Sequence, residues 1–332
     1  MKDTIGLIKK YRSVLMGVMM LWIVLFHSNV ALTFWGIPEF LVRVGYGGVD
    51  GFLFLSGFGL YYSLQKDPDV GRFYKRRAEK MLPAYVPVIL VWAICLSRHT
   101  EPLEWLRLLI GNLTGTALWA GLSCYNWYIL LLFLLYLLAP ILKDQMDAGG
   151  KRQTVWLLAA LICMSMTFFG SFSLMAATRF PVFVMGMYLA KMDCAGEKPK
   201  EWLWYVWTVI GTAALYYFWR KLPDLLWSRG LWWYPFILIT PGLLAALSRL
   251  SAWLDRSKAG AWLVGVFRRM GEASLEICLI HVPVFQYLES HYEMHFRWRV
   301  LAIFASILAS FLYHWIIGTC KKRVHRIKAK TN

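Results

Sequence analysis

Five side chains fall inside long apolar runs where neither water nor lipid would favour them: His27, Asp50, Ser56, Glu276 and His281. An ionisable group at the depth of a membrane helix costs on the order of 3 kcal/mol on insertion scales, so each is a candidate for chemistry. His27 and Asp50 carry the clearest meaning. They flank a short connection, residues 33–44, and each lies five residues inside its own apolar run, so antiparallel neighbours would hold them level. A carboxylate bonded to one imidazole nitrogen leaves the other free as a base, the order used in acyl transfer to a hydroxyl.

Each candidate also has a plainer reading. His27 could be an interfacial histidine bonded to Ser28, Asn29 or a lipid headgroup, and Asp50 a helix cap or packing residue after Gly47 and Gly48. Ser56, next to Gly57, fits a close helix contact better than a nucleophile. His281 precedes Pro283 and either lines the same cavity or satisfies a carbonyl freed by the proline. Glu276 could pair with Arg268 or Arg269. The basic stretch 72–80 offers Arg76, Arg77 and Lys80 either as an anion site or as an anchor on acidic lipid.

The elements that must position these groups are helices. The 332 residues are 59% apolar and only 17% charged. Runs such as Val14–Phe26 and Leu130–Leu138 are unbroken, without the period-two alternation of an outer-membrane strand. The sequence therefore predicts an all-α polytopic membrane bundle in one domain, residues 1–332. About ten helices are expected, near 14–32, 45–64, 82–97, 127–142, 154–170, 180–191, 202–219, 231–248, 272–289 and 300–318. The sixth covers only about 18 Å, against roughly 30 Å of hydrocarbon, so neighbouring residues must extend it or the bundle must shelter it. Residues 103–122 either rest in the interface or dip into the membrane. With both ends in the cytoplasm, most of the 36 lysines and arginines fall in cytoplasmic segments, as the positive-inside rule requires. Residues 1–32 read as the first span, since no small-x-small cleavage site follows the apolar run.

The formal charge of +17 does not indicate nucleic acid, because the basic residues form short clusters between apolar runs rather than one patch. Six dispersed cysteines without a C-x-x-C pair read as small core residues, and no metal site is expected.

Three ordered segments resemble the acyltransferase 3 family of membrane O-acyltransferases: Arg12 to His27, Gly48-Val-Asp-Gly-Phe-Leu-Phe-Leu-Ser-Gly-Phe58, and Phe73-Tyr-Lys-Arg-Arg-Ala-Glu-Lys-Met-Leu-Pro-Ala-Tyr85. Weaker pieces follow in order: Trp127-Tyr128 with Tyr136 and Pro140, Arg179-Phe-Pro-Val-Phe with Gly186, and Ser274 to His281. The resemblance implies transfer of an acyl group, expected to be acetyl, from cytoplasmic acyl-CoA as co-substrate to a hydroxyl of an envelope glycan or lipid-linked sugar. It implies a multi-pass protein of the bacterial inner membrane, with no permanently bound cofactor and no assigned oligomeric state. His27 is then the general base, oriented by Asp50; Arg12, Arg76, Arg77 and Lys80 hold the donor; Ser56, Trp127, Tyr128, Arg179 and His281 are candidate cavity-lining residues. Two departures bear on the donor site. Met16 stands where the family commonly has arginine, with Arg12 one turn earlier on the same face, and Arg77 with Lys80 replaces an Arg-x-x-Arg pair, keeping charge but losing bidentate geometry. The rival expectations are a transporter or flippase of lipid-linked sugars and a non-catalytic membrane sensor on the same scaffold.

Overall fold

The computed structural model describes residues 3–30, 38–96, 100–149, 175–176, 178–222, 232–293 and 295–331. Among these the chain is helical and contains no strand. The helices are α1 (Thr4–Ser28), α2 (Glu39–Arg43), α3 (Gly48–Lys66), α4 (Val70–Leu96), α5 (Pro102–Thr114), α6 (Trp127–Ala148), α7 (Phe180–Cys194), α8 (Glu201–Lys221), α9 (Pro235–Leu254), α10 (Lys258–Glu272), α11 (Ser274–His291) and α12 (Phe296–Thr331). The helix expected over 154–170 lies outside the described residues.

Five of these, α1, α4, α6, α9 and α12, are long and apolar enough to cross a membrane. Their outer faces keep large apolar side chains uncovered, among them Val91 and Ile94 on α4 and Phe304 and Leu308 on α12. Contiguous apolar surface of this kind is stable in lipid and not in water. The same reasoning corrects the cysteine expectation: Cys278 is buried, but Cys95, Cys194 and Cys320 are exposed. Cys163 lies outside the described residues.

Local chemistry sets the helix ends. Asp3 caps α1 by accepting from the Ile5 N–H at 3.3 Å, and Asn29 ends it in a left-handed conformation with φ 50°. The Asn126 side chain caps α6 by accepting from Ile129 N–H, and Ser257 caps α10 through Gly260 N–H. Two features differ from expectation. The basic stretch 72–80 is no loop but the first turns of α4, and 258–272 forms a separate helix, α10, where a loop was expected.

Two glycine crossings fix the frame around the site. A Cβ on Gly17 would lie 1.9 Å from the Phe267 carbonyl oxygen, and one on Gly271 would lie 1.8 Å from that of Ser13. Ten residues further along both segments, His27 meets His281, so α10 and α11 together run parallel to α1. Likewise a Cβ on Gly57 would lie 2.1 Å from the Phe183 oxygen and one on Gly186 2.0 Å from that of Phe54, bringing α3 and α7 together in parallel. Glycine is required at both crossings because backbones approach closer than any side chain allows.

Candidate active site

The end of α1 places His27 beside α11. His281 Nδ1 lies 2.6 Å from the Ile277 carbonyl oxygen, which can only accept, so Nδ1 carries the proton and Nε2 is left with a lone pair. That Nε2 lies 3.2 Å from His27 Nδ1, which is also 3.1 Å from the Ile23 carbonyl oxygen. Both neighbours are acceptors, so His27 Nδ1 bears the hydrogen. In the neutral imidazole the unprotonated nitrogen is then Nε2, the atom a base would use.

The expected His27–Asp50 pair does not form. Asp50, in the first turn of α3, is fully buried, and its Oδ2 lies 3.6 Å from Nε of Arg179, which is equally buried at the N-terminus of α7. Parallel packing of α3 and α7 brings both helix starts, and hence these two side chains, to one end. The partner of His27 is instead His281, supplied by the run of α10 and α11 along α1. Nor does His281 satisfy the carbonyl freed by Pro283. That group, Leu279 C=O four residues earlier, accepts from the Tyr125 hydroxyl at 2.6 Å. Asn126 donates to the neighbouring Cys278 carbonyl at 3.2 Å, so the start of α6 is bound to α11 just ahead of its proline.

His27, His281, Trp127, Tyr128 and Arg179 line one cavity of about 270 Å³, whose walls also include Tyr46, Phe52 and Trp233. Four of the five expected lining residues are thus brought together with the expected base. Ser56 is the exception: it faces the Tyr128 hydroxyl and does not line this space. Tyr46, Asn126 and Trp233 were not singled out from sequence. Tyr46 carried a faint signal, since it lies in the glycine-flanked turn before the Gly-Val-Asp segment.

A second cluster forms deeper along α6. Arg12 Nε donates to the Leu55 carbonyl at 2.9 Å, Arg77 Nη2 donates to Ser63 Oγ at 3.0 Å, and the Arg77 guanidinium stands over the rings of Phe73 and Tyr136 at 5.3 and 5.9 Å. The charges of Arg12 and Arg77 act on Lys80, opposed by that of Glu276. These three cations therefore gather as expected. The charge of Arg76 also acts on Arg77, but its Nη1 is held by Asp67 Oδ2 at 2.5 Å. Hydrogen bonds from Arg72 and Arg76 in turn keep the Asp67 carboxyl well below the usual carboxylate range. Glu276 faces His314 of α12, with Oε1 3.1 Å from Nδ1, rather than Arg268 or Arg269. Tyr128 on the cavity wall and Tyr136 by the cations are eight residues apart on α6, about 12 Å at 1.5 Å per residue.

A histidine with an unprotonated Nε2 on the wall of an aromatic cavity, and a cationic cluster deeper in the bundle that includes Arg12, fifteen residues before His27 on α1, can support proton abstraction and the binding of an anionic donor. No curated protein and no solved structure matches the chain. Residues 14–318, nearly its whole length, match the acyltransferase 3 family, described as an acyltransferase domain. The chain belongs to that family, and it is a multi-pass membrane acyltransferase.

Proposed function

We propose that this acyltransferase moves an acyl group, acetyl in the first instance, from cytoplasmic acyl-CoA to a hydroxyl of an envelope glycan or its lipid-linked precursor, in the inner membrane of a bacterium with both chain ends in the cytoplasm. The observation that carries the reading is the His27 imidazole. Its Nδ1 hydrogen is committed to Ile23 and His281, which leaves Nε2 unprotonated on a residue that lines the cavity. The acceptor hydroxyl gives its proton to Nε2 as its oxygen attacks the thioester carbonyl. Arg12, Arg77 and Lys80 hold the phosphates of the donor, and its thioester arm runs along α6 from Tyr136 to Tyr128.

The test compares the protein with His27→Ala in lipid nanodiscs, using labelled acetyl-CoA and a glycan extract of the source cells. Acylation should fall by about 10² to 10⁴, the usual contribution of a general base, while the variant stays folded. Acylation that survives in His27→Ala removes the proposed base. Movement of lipid-linked sugar without acyl-CoA, with unchanged acyl esters on cells lacking the protein, would replace this reading with transport.

A further inference from the structure

Arg179 is the one wall residue of the cavity with a permanent positive charge among the described residues, and its donors are poorly used. A guanidinium has five N–H bonds. Here Nη1 donates to the Met175 carbonyl at 3.0 Å and Nη2 reaches the Tyr46 carbonyl at a long 3.4 Å. Nε has no acceptor within hydrogen-bond distance, and neither oxygen of Asp50 receives a hydrogen bond. A buried ion pair built for stability closes to a bidentate contact near 2.7–2.9 Å. This one stands at 3.6 Å with both side chains 0% exposed, so the cation is neutralised without being saturated. The rings of Trp127 and Trp233 hold the guanidinium carbon at 5.0 and 5.3 Å, which fixes its plane.

We propose that Arg179 receives the oxyanion that forms on the acyl carbonyl, with Asp50 as its positioning residue. This rests on the acyl-transfer reading above. The acceptor oxygen bonds to the thioester carbon, its proton passes to His27 Nε2, and the C=O π pair moves onto the carbonyl oxygen, which meets the under-used donors of Arg179. On collapse the C=O re-forms, the C–S bond breaks, and the departing thiolate takes the proton back from His27, giving an ester and a free thiol with nothing oxidised or reduced. At rest the Arg179–Asp50 pair is neutral, so an uncharged thioester enters without a charge penalty. At about 270 Å³ the cavity is smaller than an ordinary ligand pocket, which suits the reacting atoms rather than a whole glycan.

The experiment uses the full chain in nanodiscs, with acetyl-CoA as donor and a glycan extract of the source cells as acceptor. Arg179→Gln alone strands the buried carboxylate, so it is paired with Asp50→Asn in a double variant and compared with Arg179→Lys and with Asp50→Asn alone. The double variant should unfold within a few degrees of the parent, keep its KM for acetyl-CoA within about threefold, and lose about 10² to 10³ in kcat, the cost of removing one oxyanion donor. Arg179→Lys, which keeps the charge and loses the fork, should recover part of that loss, and Asp50→Asn should lose less than about tenfold. A folded double variant with kcat within threefold of the parent, or a loss confined to KM, overturns the assignment. So does an Arg179→Lys variant no better than the double one. If the parent itself transfers no acyl group from acetyl-CoA, the acyl-CoA reading falls and this inference with it; if the parent is active and the variants are too, only the role of Arg179 falls.

Discussion

Replacing His281 by alanine should slow turnover without removing it, and the size of the effect follows from the geometry. His281 Nε2 accepts from His27 Nδ1 at 3.2 Å, and without it that hydrogen keeps only the Ile23 carbonyl at 3.1 Å. A neutral hydrogen bond is worth about 0.5–1.5 kcal/mol net, but one to an ionised partner about 1.5–3 kcal/mol, and in the proposed reaction His27 becomes an imidazolium as it takes the acceptor's proton. The difference of about 1–2 kcal/mol is felt in the transition state, so kcat should fall about 5- to 30-fold at 1.36 kcal/mol per tenfold. This is well short of the loss expected for His27→Ala. Three variants separate the hydrogen bond from packing: His281→Ala removes both, His281→Leu refills the space without an acceptor, and His281→Gln places its Oε1 near the lost Nε2. Single-turnover acetyl transfer in nanodiscs should rank Gln above Leu and Ala. A His281→Ala enzyme within twofold of the parent, or a Gln variant no faster than Leu, would refute the argument that His281 orients the base.

Arg77→Ala should raise the KM for acetyl-CoA by about tenfold or more, and raised salt should weaken donor binding less in this variant than in the parent; an unchanged KM would separate the cationic cluster from the donor. Gly271→Ala sets a methyl carbon 1.8 Å from the Ser13 carbonyl, so α1 and α10 must part. Overpacking costs typically 1–3 kcal/mol, and the yield of folded protein and its unfolding temperature should both drop, with parental stability counting against the close crossing. Asp67→Asn should lower the unfolding temperature at pH 7. Since the folded carboxyl titrates below its unfolded value, the gap from the parent should persist at pH 5 and narrow as pH falls below about 4. A gap that widens in acid would reverse that sign.

Much of the site was legible in the sequence because the motif pieces are short and local. His27 near the end of an apolar run, Trp127-Tyr128 at the head of another, and the charges of Arg77 and Lys80 reach their places through the helix that carries each one. What could not be read was which helix starts lie side by side. Asp50 is level with His27 along the membrane normal in the sequence argument, and depth says nothing about azimuth; α7 brings Arg179 to the carboxylate, and α11 brings His281 to the imidazole. The same limit explains the misplaced boundaries. Apolar runs report the stretch of helix immersed in lipid, so the charged first turns of α4 and the amphipathic α10, with Arg268 and Arg269, read as loops although both are helical.

The grip of Tyr125 and Asn126 on the α11 backbone has a consequence for how this enzyme tolerates change. The carbonyls of Leu279 and Cys278 are fastened to the start of α6 within three residues of His281. In the proposed reaction the aim of the base would thus depend on Tyr125 and Asn126 as well as on the two histidines, and sequence drift there would dim turnover while His27 and His281 were themselves unchanged.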